Sequence, residues 1–394
     1  MRRTKSSRSR YGPSPLIPSS SSPSRSALTR RAPVSPRSRT APRPSRITGE
    51  LAEDIYAKLH AFASYGFPES HSISFAYLVY ASSYLKRHYP AAFTTALLCN
   101  QPMGFYSPAT LIGDARRHDV TVRGPDVNAS AAKATLGPAP DPYRPRHEFA
   151  SSIPQPAIRL GLGTVRDLGD AAARRVVAER GDRGRYLDLE DFVRRTGLSR
   201  AALEALATAG AFGCLGLTRR QALWQAGALA GTHAGQLPGT SGADRVPELP
   251  AMTVVEQTFA DLWSAGASPD SHPIAHVREQ LAASGHLRIE QLAQVPDSGS
   301  VRIAGIVTHR QRPPTAGGVC FLSLEDETGL ANIVCSPGVW ERHKKVALNH
   351  AGLRIIGRLE RSDHGKGAIN IVAVRLEPLR VAAQPERMRG RDFR

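Results

Sequence analysis

Between residues 301 and 377 the apolar pattern changes from a helical period to alternation by two, and the order of its segments constrains the fold more than any other feature. VRIAGIVTHR (301–310), GVCFLSLEDE (318–327) and LANIVCS (330–336) read as three strands. SPGVWERHKKVALN then offers Ser336 as an N-cap and Pro337 at the first helical position. LRIIGRLER (353–361) and GAINIVAVRLE (367–377) read as two further strands, joined by the turn SDHGKG.

Five strands with a helix between the third and fourth are what an OB-fold barrel requires. Such barrels bind single strands by stacking bases on aromatic side chains and tracking the backbone with basic ones. On this reading His309, Arg310 and Arg312 lie at the first turn, with Phe321 and Arg354 or Arg358 as partners. The alternative makes Phe321 and Trp340 core residues and the basic side chains a solvated rim.

Upstream the period is helical. Acids Glu50, Glu53 and Asp54 follow Thr48, which suits a helix start, and a second helix is expected over 72–87, with Phe75, Leu78, Val79 and Leu85 as its apolar stripe, ending before Pro90. A short extended segment and a Pro-rich connection occupy 120–150, helices 158–230, a Gly/Ser/Pro linker 231–250 and helix again 253–295. Within AIRLGLGTVRDLGDAAARRVVAER (157–180), Gly161-Leu162-Gly163 before an Ala/Val-bearing helix has the pattern of a helix-hairpin-helix. Glycines there would let the backbone approach a phosphate while N–H groups at the helix start donate to it, with Arg166, Arg174 and Arg175 adding charge. A plain interhelical turn is the competing reading.

Charge separates the chain into two textures. The formal net charge is +18, and residues 1–46 hold twelve Lys or Arg and no acid, so two thirds of it lies in a Ser/Pro/Arg tail without apolar periodicity. Such a tail is expected to be disordered. It reads as a nucleic-acid-binding arm, as an organellar transit peptide, or as a GC-rich gene translated out of frame. The four cysteines (Cys99, Cys214, Cys320, Cys335) are far apart and form no CxxC pair, which argues against zinc and disulfides and for buried apolar roles. No apolar run approaches the roughly 20 residues of a membrane span, so a soluble, cytoplasmic chain without membrane contact is expected.

FASYGFPESHSISFAYLVYASSYLKRHYPAAF (62–93) resembles the end of the fingers region in bacterial DNA polymerase III alpha subunits. DARRHDVTVRGPDVNAS (114–130) and IRLGLGTVRDL (158–168) are most similar to the error-prone branch of that family, the damage-tolerant polymerases. The resemblance covers about 47–380 and implies DNA-templated nucleotidyl transfer in translesion synthesis, DNA as partner, and further translesion proteins as associates. It makes Ser70, His71, Lys86, Arg87 and His88 candidates for nucleotide or template contact, although Lys86, Arg87 and His88 also suit a helix C-terminus complementing its own dipole. Tyr65, Gly66 and Phe67 would make a sharp turn before Pro68.

The architecture expected is multidomain and mainly α with a C-terminal β-barrel. A disordered tail (1–46) precedes a helical fingers remnant (47–110), a helix-hairpin-helix domain (111–230), a linker and connecting helix (231–298), the OB-fold (299–380) and a basic C-terminal tail (381–394). Family palms hold Mg2+ on clustered carboxylates that precede the fingers. Here only the basic tail precedes residue 47, so no catalytic residue is assigned, no cofactor is expected on this chain, and Mg2+ is expected for the full-length enzyme. Glu190 with Asp191, and Glu325, Asp326 and Glu327, read as helix-start and strand-end acids. Gln257 and Phe259 do not make a convincing clamp-binding peptide and read as part of an amphipathic helix. A DNA-binding piece of a polymerase and a protein-interaction scaffold therefore both remain open.

Overall fold

The computed structural model describes residues 49–64, 69–104, 106–140, 151–231, 247–361, 368–380 and 391–393. The tail 1–46, the turn Tyr65–Pro68, most of the 231–250 linker and the turn 362–367 lie outside them. The chain divides into two units, Met1–Ser72 and Ile73–Arg394. The first contains α1 (Glu50–Ser64), opened by Glu50 and Glu53 and braced by a Lys58–Asp54 ion pair of 2.6 Å. α2 (Glu69–His88) begins there and runs into the second unit. Its expected stripe is not packed: Phe75, Leu78, Val79 and Leu85 are all exposed.

In the second unit, α3 (Pro90–Cys99) and α4 (Pro108–Arg117) cover a small sheet of β1 (Val122–Arg123), β2 (Thr135–Gly137) and β3 (Ala157–Arg159), ordered β1-β3-β2. Ile112, Val122, Ile158 and Leu160 form its core. Four helices follow: α5 (Gly169–Arg183), α6 (Leu189–Thr196), α7 (Arg200–Thr208) and α8 (Arg219–Leu229). Asp188, Ser199 and Thr218 cap the last three, each side chain accepting from a backbone N–H in the first turn. Tyr186, Phe192 and Phe212 pack edge to face at 4.8 and 5.1 Å in their core. The region 253–295 is not one helix. It is α9 (Val254–Ala265), α10 (Arg278–Ala283) and two short 3-10 segments, and α9 buries Phe259 against Ala304 and Ile306 of the barrel.

The barrel consists of β4 (Ser300–Gln311), β5 (Cys320–Glu325), β6 (Leu330–Cys335), β7 (Gly352–Arg361) and β8 (Ile369–Pro378). They pair in the order β5-β6-β8-β7-β4, and β4 pairs back with β5 to close the ring. α11 (Pro337–Asn349) follows β6, with Ser336 Oγ accepting from the Val339 N–H. Trp340 of this helix is buried in the barrel core. A short β9 (Arg391–Phe393) adds in parallel to the end of β4. Cys320 and Cys335 are buried in the barrel, whereas Cys99 and Cys214 are partly exposed, against the expectation for all four. No helix among the described residues is long and apolar enough to cross a membrane.

The turn between β5 and β6 ties these layers together. Glu325 and Asp326 are buried, contrary to their reading as plain strand-end acids. Glu325 accepts from Thr110 Oγ1 (3.1 Å) and Arg117 Nη1 (3.4 Å), both on α4. Asp326 accepts from Arg278 Nη2 (3.0 Å) and the Ile289 N–H (2.9 Å) with one oxygen, and from Thr328 and Gly329 with the other. Glu327 takes the rest of the Arg278 fork at 2.6 and 2.9 Å. Burial pushes the Glu325 and Asp326 carboxyls above their usual range, opposed by these donors. His272, which receives the Ile274 N–H, is pushed down to about 3, chiefly by burial and further by Arg116, Arg117 and Arg278, with Glu327 opposing.

Two predictions follow from this junction. Asp326→Ala removes one of the two carboxylates on Arg278 and leaves the Ile289, Thr328 and Gly329 N–H groups without their acceptor, which lowers unfolding free energy by about 3–5 kcal/mol, read from urea denaturation; a loss below about 1 kcal/mol would show the turn does not hold the layers. Neutral His272 contributes stability that is complete above its ordinary pKa of 6.5 and is lost as pH falls toward 3. His272→Asn keeps an acceptor for Ile274, so its urea midpoint falls less than the parent's between about pH 7 and pH 4.5, the raised carboxyls being common to both chains. Equal falls would refute the assignment.

Candidate nucleic-acid interface

The helix-hairpin-helix candidate is built differently from its sequence reading. Leu162 and Gly163 do not present free N–H groups: they donate to Ala131 O and Ala132 O, both at 2.9 Å, and Leu162 is fully buried. The glycines are needed because the chain packs against itself. A Cβ at Gly161 would lie 2.5 Å from Ala132 O, and one at Gly163 would lie 2.8 Å from Asp170 Oδ1. The turn that opens α5 is instead Asp167-Leu168-Gly169, with φ of 60° at Asp167 and 70° at Gly169. Only the spacing of a Gly one residue before the Asp-Ala-Ala helix start hinted at it.

Arg166, Arg174 and Arg175 are exposed around this turn. Arg166 pairs with Asp167 at 3.8 Å and Arg174 with Asp170 at 3.0 Å. The Arg166 guanidinium also lies 5.1 Å from the centre of the Trp263 ring on α9, and the Arg166 backbone N–H donates to Ser264 O at 2.7 Å. Trp263, 42% exposed, was not singled out from the sequence, because its helix reads as an ordinary amphipathic one. α9 is fixed to α8 by Arg219–Asp261 (2.7 Å) and Arg220–Glu256 (2.9 Å). Gln257 of the same helix bonds its amide to Met252 O.

On the barrel two candidates are corrected. Arg310 is buried within β4, not at a turn, and donates from Nε to Ala347 O (2.9 Å) and from Nη2 to His350 O (3.3 Å), which closes the C-terminal end of α11. His309 is also buried in β4, its Nδ1 3.0 Å from Thr308 Oγ1. Arg312 is exposed beyond the strand, 3.7 Å from Glu341. Phe321 is 39% exposed on the outside of β5. Register places it in one row with Val334 on β6, Val372 on β8 and Arg358 on β7. Arg358 pairs with Glu360 at 2.6 Å, and Arg354, further along the same face, with Glu377 at 3.2 Å.

At the end of α2 the basic residues have local tasks. Lys86 pairs with Asp114 at 3.0 Å. The His88 ring packs on Tyr84 at 4.4 Å, and its carbonyl accepts from Ser151 and Gln155. Arg87 and His71 are exposed, and the Ser70 side chain lies outside the description. A cleft of about 1110 Å³ beside α4 is lined by Arg116, Arg117 and His118 but also by Asp270, Glu290 and Glu327, so its charges alternate. Among the described residues no group of three or more His, Cys, Asp or Glu could hold a metal ion, and the densest carboxylates, 325–327, are committed to Arg117 and Arg278.

Residues 119–222 match the family described as helix-hairpin-helix motif, and 301–379 the family described as OB-fold nucleic acid binding domain. Error-prone DNA polymerase from Mycolicibacterium paratuberculosis is 50% identical over 345 residues, 88% of this chain. The enzyme of the same name from Nocardia farcinica is 47% identical over 356 residues. The chain spans 30% and 29% of the length of these two curated relatives. Among solved structures, asparaginyl-tRNA synthetase from Pyrococcus horikoshii aligns with 24% of this chain and 23% of its own at 21% identity, with a TM-score of 0.21.

Gly161→Ala is expected to destabilise the chain by about 1–3 kcal/mol through backbone collision, measured by chemical denaturation, while leaving the salt dependence of any DNA binding unchanged. A lowered salt slope with normal stability would return Gly161 to phosphate contact.

Proposed function

We propose that this chain, homologous over 88% of its length to error-prone DNA polymerases, is the C-terminal DNA-binding part of such an enzyme. The observation that carries the reading is the pairing, within that homology, of a helix-hairpin-helix region and a closed OB barrel with an aromatic side chain on its outer face. In the intact enzyme the activity would be DNA-templated nucleotidyl transfer in translesion synthesis, with Mg2+ on the catalytic carboxylates. The commitment of 325–327 to structural ion pairs supports assigning this chain binding and not chemistry. The helices before residue 110 would be the end of the fingers, and Ser70, His71, Lys86, Arg87 and His88 would face nucleotide or template from there.

Arg166, Arg174 and Arg175 around the α5 turn, and Arg312, Phe321, Arg354 and Arg358 on the barrel, are the contacts proposed for DNA. Exposed phosphate-binding arginines and a stacking aromatic suit sequence-independent binding. A second reading, a protein-interaction scaffold for other translesion proteins in the cytoplasm, is favoured by the exposed apolar residues of α2.

Fluorescence anisotropy with labelled single-stranded and primer-template DNA tests the first reading. Affinity is expected to fall steeply with salt, Phe321→Ala to cost about 1–3 kcal/mol of binding, and Mg2+-supported primer extension to be undetectable. Salt-insensitive binding, or extension by the purified chain, would overturn it.

A further inference from the structure

The outer face of β4, β7 and β8 holds a charge pattern that strand alternation alone does not produce. On β7, Leu353, Ile355 and Leu359 point into the barrel, so Arg354, Ile356 and Arg358 point out. Register sets Arg302 of β4 opposite Ile356 on one side and Arg375 of β8 opposite it on the other. Ile356 is therefore surrounded by four arginines, two along its own strand and one on each neighbour. Arg354 and Arg358 are about 13 Å apart along β7, and Arg302 and Arg375 about 10 Å apart across it.

Arg375 reaches this face through a bulge. Ile371 and Ala373 are buried, and regular alternation would send residue 375 into the barrel as well. Instead Ile356 pairs with Arg375 and Gly357 with Ala373, which leaves Val374 as the extra residue. Val374 is 60% exposed, Arg375 faces solvent and Leu376 returns to the core. Across from the bulge Gly357 has no room for a side chain: a Cβ would lie 2.5 Å from Val372 O.

The four guanidinium groups face two carboxylates. Glu377 is shared between Arg354 (3.2 Å) and Arg375 (2.9 Å), and Glu360 pairs with Arg358. Arg302 has no carboxylate partner among the described residues. The field reaches His286, whose imidazole is pushed down first by burial and then by Arg354 and Arg302. The Phe321–Val334–Val372 row ends at Arg358, so an aromatic and apolar floor leads into the basic patch.

We propose that Arg302, Arg354, Arg358 and Arg375, set around Ile356, form a phosphate-binding patch that guides the backbone of single-stranded DNA away from Phe321 across β8 and β7. The proposal rests on the DNA-binding reading above and adds Arg302 and Arg375 to it. The patch leaves two positive charges unneutralised, and guanidinium groups match phosphate oxygens in paired geometry.

The test uses the full chain and a 5′-fluorescein oligo-dT of about 20 nucleotides, longer than the site of one OB barrel, in anisotropy titrations over a series of NaCl concentrations. The double variant Arg302→Ala/Arg375→Ala is expected to weaken binding about tenfold or more at low salt and to reduce the slope of log K against log salt by about 1.4, two released phosphate contacts. Glu360→Gln/Glu377→Gln should tighten binding, and both variants should melt with the parent. If the parent binds and neither variant changes affinity or slope, the patch is a solvated ion ladder and the proposal fails alone. If the parent does not bind oligo-dT at any salt, the DNA-binding reading fails and this proposal with it.

Discussion

The buried carboxylates of the β5–β6 turn are the constraint on which the second unit depends. A carboxylate without solvent is tolerated only when donors replace the lost water, and Asp326 has five of them from three segments of chain. Glu325 is tied to α4, and Asp326 with Glu327 to α10 and the segment after it. A turn that in isolation would join two strands therefore sets where the helices before the barrel must stand. His272, held neutral near the same arginines, adds a group that opposes protonation of this region.

Close backbone approach explains the glycines better than phosphate contact does. At Gly161 the chain packs onto the carbonyl of Ala132, and at Gly357 onto that of Val372. Both gaps are filled by backbone, and both serve geometry nearby: one precedes the turn into α5, the other lies opposite the bulge that turns Arg375 outward. Arginines divide in the same way. Arg310 and Arg278 are buried and spend their donors on carbonyls and carboxylates, whereas Arg175, Arg302 and Arg358 stay in water where a polyanion could reach them.

The barrel was legible because its signals are local. Alternation marks strands, Ser336-Pro337 marks a helix start, and the order of the pieces leaves few closed topologies. The helical stretches were legible as helices but not as packing. Phe75, Leu78, Val79 and Leu85 have the spacing of a buried stripe, yet nothing described covers them, since periodicity reports which residues share a face and not what stands opposite. Glu325 and Asp326 misled for the opposite reason: acids at a strand end are usually solvated, and only the donors brought from α4 and α10 make burial affordable.

The sequence by itself determined the order of the barrel's elements and its closed five-stranded form, the basic imbalance, and the family resemblance that homology over 88% of the chain supports, but not the small β1-β3-β2 sheet. Tertiary structure decided which polar residues are free to meet a ligand. His309 and Arg310 went inside, the α5 turn moved to Asp167–Gly169, and a single bulge placed Arg375 on the same outer face as Arg302, across Ile356. Those outcomes depend on register and on contacts between segments far apart in sequence, and a one-residue shift in pairing reverses the face on which a side chain stands.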